Sequence, residues 1–161
     1  MLEFGTANEE VNQYCQLAPF VISVNENQDN ELSIIIALPI PINSKQDYDN
    51  QRISEILSNS MRVDADLNRM YEIKFETYII YQCRNESYTS LDTSEISKGK
   101  YLIIFEKSKL LNYYESVIFD FDNTKSKRKH YGIYTENHII DVIANEPPVI
   151  KKLNSNLSVR Y

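Results

Sequence analysis

The fold class is decided by residues Tyr71–Arg84, which read YEIKFETYIIYQCR. Apolar or weakly polar side chains take every second position from Tyr71 to Cys83, and charged or amide side chains such as Glu72 and Gln82 fall between them. Because successive side chains of a strand point to opposite faces, this alternation predicts one long antiparallel strand. One face of that strand would pack on a core and the other would meet water.

A first hairpin is predicted upstream of this stretch. Phe20–Val24 and Leu32–Leu38 are short apolar runs, and the polar cluster Asn25–Asn30 separates them. Two such runs joined by a polar tip are typical of antiparallel hairpins. We expect Pro39 and Pro41 to end the ladder, because proline has no backbone N–H to donate.

A second hairpin is predicted downstream. Tyr131–Tyr134 and Ile139–Ile143 flank the polar turn Thr135–His138. Tyr101–Phe105 is a continuous apolar run, which indicates a buried strand. Asn85–Lys100, between the long strand and this run, is polar and is predicted to be a loop closed by a glycine.

Three segments show helical signals. Thr6–Glu9 is a capping box, with a hydroxyl at the cap and a carboxylate three residues later, and predicts a short helix to about Leu17. Residues Ser44–Met61 carry apolar side chains at three- and four-residue steps. Ser108 is a candidate N-cap of a third helix, although Ser116–Phe121 also fits a strand, and the sequence leaves both interpretations open.

These elements predict an α+β fold: a single domain, residues 1–161, with a mainly antiparallel sheet and two or three helices packed on it. Residues 1–18 would form an N-terminal helical segment and residues 152–161 a loose tail. No apolar run is long enough for a membrane span, and the first residues do not resemble a secretory signal.

Charge and cysteine content narrow the partners and the compartment. The 17 Lys and Arg against 23 Asp and Glu give a net charge of -6, which disfavours sequence-independent nucleic-acid binding. Lys125–His130 is the one dense basic run, and we interpret it as a solvated turn. Cys15 and Cys83 lie far apart without a CxxC pattern, so a reducing, cytoplasmic setting is expected.

Val117–Thr124, VIFDFDNT, is an apolar run followed by Asp-x-Asp-x-Thr. It resembles the first motif of haloacid-dehalogenase-like phosphatases. The resemblance implies Asp120 as nucleophile and Asp122 as general acid, with Mg²⁺ neutralising their charge. That fold also requires a later acidic pair, which residues 123–161 do not contain. The alternative is a strand end followed by a turn, which Asp and Asn favour.

His130 and His138 are the only histidines and could join Asp141 or Glu146 in a mononuclear metal site. In the predicted hairpin the two histidines would face each other. The alternative is that both are polar residues bracketing a strand and its turn, and we prefer it. No residue is assigned a catalytic or metal-binding role, and no cofactor is predicted.

Tyrosine is abundant, with 12 residues, and most lie in the second half of the chain. Tyrosine combines a large apolar area with a polar tip and is enriched at protein interfaces. Tyr78 and Ile80 lie on the face of the long strand expected to be wet, so either this chain or a partner should cover them. The predicted protein-binding residues are Glu72, Glu76, Tyr78, Ile80, Tyr88 and Asp92.

The sequence therefore favours a small acidic protein-binding module, comparable with immunity proteins, antitoxins or phage-encoded inhibitors of another protein. An acidic surface would speed encounter with a basic partner. The alternatives are a metal-dependent phosphoester hydrolase using Asp120 and Asp122, and a self-associating chaperone-like or regulatory protein.

Overall fold

Two antiparallel sheets dominate the part of the chain that the structure describes. The computed structural model describes residues 4, 9–12, 16–42, 62–89, 92–119 and 127–153. The strands in these ranges are β1 (Phe20–Glu26), β2 (Leu32–Ile42), β3 (Arg62–Phe75), β4 (Ile80–Asn85), β5 (Ile96–Lys98), β6 (Leu102–Lys107), β7 (Lys129–Tyr134), β8 (His138–Ala144) and β9 (Val149–Leu153). Sheet A has the order β1-β2-β3-β9, and sheet B has the order β4-β8-β7-β6-β5.

Helical structure is sparse in the described ranges. It comprises a single turn, α1 (Glu9–Asn12), a 3-10 turn at Glu86–Tyr88, and the nine-residue helix α2 (Lys109–Val117). The fold is therefore mainly antiparallel β. Leu17 is not helical, so the predicted N-terminal helix is too long. The helix predicted over residues 44–61 lies outside the described residues and stays a prediction.

The long strand predicted over Tyr71–Arg84 is wrong, because the chain changes sheets within it. β3 ends at Phe75 in sheet A, and β4 begins at Ile80 in sheet B. The alternation of apolar and polar residues continues where the chain crosses from β3 to β4, because Phe75 and Tyr81 pack on the same core. A sequence pattern reports which side chains are buried, and it does not show that the backbone bends between them.

One apolar core lies between the sheets. Its fully buried members from sheet A include Leu32, Ile34, Ile36, Tyr71, Ile73 and Phe75, and those from sheet B include Leu102, Ile133, Ile140, Val142 and Ala144. The rings of Phe75 and Tyr131 meet edge to face, with centroids 5.5 Å apart. The two sheets therefore pack face to face, as in β-sandwiches.

Both predicted hairpins are confirmed, but the prolines do not end the first. β1 pairs with β2, and β7 pairs with β8. β2 continues through Pro39 and Pro41, which lie opposite Ala65 and Val63 of β3. On the other edge of β2 the pairing with β1 stops earlier, since the first residue of β1, Phe20, lies opposite Ala37. Proline is tolerated on an open strand edge because no ladder bond is lost there.

The structure confirms the helix predicted after Ser108 and corrects the predicted Asn85–Lys100 loop and the predicted tail. Ser108 caps a helix as predicted, and Ser116 lies in that helix, so the strand alternative fails there. The predicted Asn85–Lys100 loop contains the 3-10 turn and the short strand β5. Lys152 and Leu153 belong to β9 and pair with β3, so the predicted tail begins too early.

Candidate functional site

The outer face of sheet B, which points away from the core, is itself buried. In the register of the sheet, Ile80 of β4, Ile143 of β8, His130 of β7 and Phe105 of β6 form one row across this face. Ile143 and His130 are almost completely excluded from solvent. Sheet B is therefore the middle of a layered structure, and its outer side holds a second, partly polar cluster.

Three buried polar side chains form a hydrogen-bonded chain in this cluster. The Oγ atom of Ser108 lies 2.8 Å from Nδ1 of His130, and Nε2 of His130 lies 3.0 Å from Oδ1 of Asp141. None of the three residues is more than 4% exposed. We call this group the Ser108–His130–Asp141 chain.

The local sequence explains how the three residues meet. The tight β7–β8 hairpin pairs Gly132 with Asp141, which places Asp141 diagonally across from His130. Ser108 follows β6 and caps α2, where its Oγ accepts a hydrogen bond from the N–H of Leu111 at 2.9 Å. The Ser108–His130–Asp141 chain thus connects the first turn of α2 to β7 and β8 of sheet B.

The imidazole of His130 is held by packing as well as by hydrogen bonds. It stacks on the ring of Phe105, with centroids 4.1 Å apart and planes 5° from parallel. Gly132, the next residue but one, has no side chain to disturb this stack. A Cβ atom there would lie 2.9 Å from a ring carbon of Tyr134 and 3.2 Å from one of Phe105. A larger residue at this position would force at least one of these two rings to shift.

Asp141 has more partners than His130 alone. Its Oδ2 lies 2.5 Å from Nη1 of Arg84 and 3.0 Å from Nε2 of Gln82. Burial acts to raise the pKa of Asp141, but hydrogen bonds from His130 and Gln82 and the positive charge of Arg84 lower it below its ordinary value. A carboxylate can only accept, so Nε2–H of His130 donates to Asp141. In the tautomer that carries its proton on Nε2, Nδ1 can accept a hydrogen bond from the Ser108 hydroxyl.

The order hydroxyl, imidazole, carboxylate also occurs in serine hydrolases, but here the two ring nitrogens are exchanged. In the hydrolase triad Nε2 faces the serine and Nδ1 faces the aspartate. Ser108 is also buried and already accepts the N–H of Leu111. The neighbouring N–H of Lys109 is held by Glu95 at 2.8 Å. In this arrangement the Ser108–His130–Asp141 chain anchors α2, and the Ser108 hydroxyl is not presented to a substrate as a nucleophile.

The opposite side of α2 carries apolar side chains into solvent. Tyr113 and Val117 are each 61% exposed, and Phe119, just after the helix, is 75% exposed. Tyr113 and Val117 are four residues apart and so lie on one face. We call these three residues the α2 surface.

Three of the six predicted interface residues lie in sheet A or in the segment that crosses from β3 to β4. Glu72 lies on the outer face of sheet A and accepts a hydrogen bond from the Ser33 hydroxyl at 2.8 Å. Glu76 is exposed in the crossing. Tyr78 is half-buried, and its hydroxyl donates to Glu26 at 2.7 Å. Tyr78 is therefore covered by this chain's own residues.

The other three predicted residues lie around sheet B. Ile80 lies opposite Ile143 on the outer face. Tyr88 is 86% exposed in the 3-10 turn. Asp92 forms an ion pair with Lys109 of α2, and this hydrogen-bonded partner is the main reason that the pKa of Asp92 is lowered. The six residues therefore do not form a single patch.

The histidine pair predicted to face each other does not do so. His130 lies opposite Ile143, whereas His138 is exposed and lies opposite Asn85. Across the described ranges, no three His, Cys, Asp or Glu side chains come close enough to hold a metal ion. His130 also belongs to β7 rather than to a solvated basic turn.

Other sequence candidates cannot be placed. Asp120, Asp122 and Cys15 lie outside the described residues, while Cys83 is an exposed free thiol on β4. The motif that resembles the phosphatases therefore stays a prediction.

Sequence reasoning did not find the Ser108–His130–Asp141 chain. The sequence indicates Ser108 only as a helix cap and Asp141 only as a candidate metal ligand. The register of the predicted hairpin was the available signal, because counting back from its turn places Asp141 opposite Gly132.

Comparisons with protein-family models, with curated proteins and with solved structures found no match for this chain. In the part of the chain that the structure describes, no helix is both long and apolar enough to cross a membrane. A functional proposal therefore depends on the geometry of α2 and of the outer side of sheet B.

Proposed function

We propose that this chain is a small acidic protein-binding module of the inhibitor, immunity or antitoxin type, acting in the cytoplasm, and that the α2 surface is its main contact. The observation that carries the proposal is the exposure of Tyr113 and Val117 on α2, and of Phe119 just after it, next to a first helical turn that is anchored. We also propose that residues 44–61 form a further helix packed on a sheet, which would place the fold in the α+β class.

Anchoring is what makes this surface suitable for recognition. The Ser108–His130–Asp141 chain and the Lys109–Asp92 ion pair both hold the first turn of α2. A helix that is already ordered loses less conformational entropy on binding. Aromatic residues dominate the energetics of protein interfaces, and Tyr113 offers a large ring with few rotatable bonds.

Electrostatics favours a basic partner. The net charge of -6 attracts positively charged surfaces over a distance of about one Debye length, ~8 Å at physiological salt. Glu72, on the outer face of sheet A, and the exposed Glu76 add to this field. Opposite net charge chiefly raises the association rate, while the apolar contacts of α2 slow dissociation.

The test is affinity capture with the full-length chain, followed by binding kinetics with the captured partner. Replacing Tyr113 and Val117 by Ser should weaken binding by about tenfold or more, because interface aromatic anchors contribute ~2 kcal/mol or more. Tyr88→Ser is the matched control, since it also removes an exposed tyrosine but lies in the 3-10 turn. Equal loss of binding in both variants, or no loss in the α2 variant, would contradict the assignment of the α2 surface.

Self-association, with a chaperone-like or regulatory role, is the second candidate. The same exposed apolar side chains favour it, because such patches bury themselves against a second copy when no other partner is present. Light scattering of the pure protein separates the two functions. A dimer that dissociates on Tyr113→Ser would support self-association, and a monomer at all concentrations would exclude it.

A further inference from the structure

The side chain of Asn12 occupies a ring of backbone donors at the turn before β6. Its Oδ1 accepts hydrogen bonds from the N–H groups of Lys100, Tyr101 and Leu102, at 3.2, 2.9 and 3.0 Å. Its Nδ2 donates to the carbonyl oxygen of Leu102 at 3.3 Å. Gly99 has φ +102°, and the turn begins there. Consecutive N–H groups that converge in this way form a nest for an oxygen atom.

The same turn also binds the main chain of the N-terminal segment, four residues after Asn12. The carbonyl oxygen of Gln16 accepts hydrogen bonds from the Tyr101 hydroxyl at 2.9 Å and from Nζ of Lys100 at 3.2 Å. Residues 100 and 101 therefore contact this segment through both backbone and side chains. Such a combination of a side-chain pocket and a main-chain clamp is typical of peptide recognition.

Apolar contacts add to these polar ones. Val11, next to Asn12, is completely buried in the core. Phe4 is also buried and meets the ring of Tyr131 edge to face, with centroids 5.2 Å apart. The described residues of the N-terminal segment thus bind the body of the protein as a peptide ligand would, with two apolar anchors and one amide.

We propose that the turn Gly99–Leu102 is an asparagine-specific peptide socket, and that the N-terminal segment of a second copy is its exchangeable occupant. This inference is independent of the α2 surface. An amide offers separate atoms for the two roles, an oxygen that accepts from three N–H groups and an NH₂ group that donates to the Leu102 carbonyl; a carboxylate would face that carbonyl without a proton. Gly99 and Lys100 are exposed, so water can solvate the turn when the segment leaves.

The second copy is the favoured occupant because the socket already matches the described residues of this segment, through Asn12 and the carbonyl of Gln16. An identical segment from another molecule makes the same contacts, and reciprocal exchange closes a two-fold dimer. The covalently attached segment competes at a high effective concentration, so the monomer dominates at low protein concentration. Exchange therefore becomes visible when the resident segment is weakened.

The first experiment uses full-length Asn12→Ala protein and a fluorescent synthetic peptide of residues 1–19. The variant should bind this peptide one to one, and the wild-type protein should bind it more weakly because its own segment fills the socket. A peptide carrying Asn12→Ala should bind at least about tenfold more weakly, since it loses all four amide hydrogen bonds. A peptide carrying Asn12→Asp should also bind more weakly than the native sequence.

Equal binding of the three peptides by the folded variant would overturn the socket, as would no binding at all. Circular dichroism checks that the variant is folded, and Tyr101→Phe serves as receptor if it is not. This milder change removes the hydroxyl clamp on Gln16 and should speed uptake of the native peptide several-fold.

Sizing of full-length protein after refolding over a range of concentrations tests the second copy. A dimer in the wild-type protein that is absent in Asn12→Ala supports exchange, and a monomer throughout overturns it. Variants of Tyr113 and Val117 should take up the peptide as the wild type does. A failed socket therefore leaves the proposed function of α2 untouched.

Discussion

Asp141→Asn is the substitution that tests the buried anchor most directly. The amide has nearly the same shape as the carboxylate, so the substitution preserves the volume of this buried side chain. It cannot accept from His130, Gln82 and Arg84 as the carboxylate does. If its oxygen faces Nε2 of His130, its NH₂ group faces two other donors, and hydrogen bonding fails on that side.

The expected loss follows from burial. Removing one partner of a fully buried ion pair costs ~3–5 kcal/mol. The Arg84 side chain is 34% exposed, so water partly solvates the charge that is left behind. We therefore expect the free energy of unfolding to fall by about 2–3 kcal/mol, below the fully buried range.

Urea denaturation at neutral pH measures this loss, with Glu106→Gln as the matched control. The control is also a carboxylate-to-amide change that removes an ion pair, with Lys98, but both side chains there are about half exposed. Exposed pairs contribute ~0–1 kcal/mol. A loss for Asp141→Asn no larger than that for the control would refute the view that the buried chain anchors α2.

Acid denaturation gives an independent measure of the same group. Because the pKa of Asp141 is lower in the folded protein than its ordinary value of 3.8, its ionised form favours folding above that pH. This contribution is lost as the pH falls through the folded pKa. Asp141→Asn should therefore have a shallower loss of stability below about pH 4 than the wild type. Parallel acid limbs would contradict the assignment.

Three further substitutions test neighbouring features. Ser108→Ala removes both the helix cap and the partner of the imidazole, and should lower the free energy of unfolding by ~1–2 kcal/mol. Ser116→Ala on the same helix should change it by less than about 0.5 kcal/mol, and equal effects would contradict the anchor. Gly132→Ala should cost ~1–3 kcal/mol because its Cβ would lie 2.9 Å from a ring carbon, and a neutral result would show that the rings yield freely. Glu26→Gln should bring the pKa of Tyr78 down from about 12 towards 10, because the hydroxyl no longer donates to a carboxylate; an unchanged spectrophotometric titration would exclude this contact.

Local sequence signals located most of the strands. The polar tips at Asn25–Asn30 and Thr135–His138 set two hairpins, because each lies between apolar runs of similar length. Ser108 was recognised as a helix cap from its position before Leu110 and Leu111. These features depend on contacts between residues close in the chain, so the sequence displays them directly.

Features that depend on distant contacts were not predictable in the same way. The crossing at Glu76–Ile79 keeps the alternation of a single strand, because the residues on both sides of it face one core. Pro39 and Pro41 stay in β2 because β1 ends early, which no local pattern reveals. The order of the sheets is equally a property of the whole fold.

The candidate site shows the same limit. His130 and Asp141 could be brought together by counting along their hairpin, but Ser108 reaches them from another part of the chain. Exposure of Tyr113 and Val117 depends on which side of α2 meets sheet B. The interface predicted at Glu72 and Glu76 assumed one continuous strand, and the crossing removes that assumption.

The strand order has a consequence for how the chain folds. Among the strands that the structure describes, β4 has β8 as its single partner, and β9 supplies the second partner of β3, so the last two strands complete both sheets. While the ribosome is still making β5–β7, β3 and β4 present unpaired edges that can join other chains. Pairing between strands so far apart in sequence is slow, with typical folding times of milliseconds to seconds. Sheet B therefore cannot be completed until β8 emerges, and sheet A gains its last strand only with β9. Over that interval the unpaired edges expose the chain to aggregation.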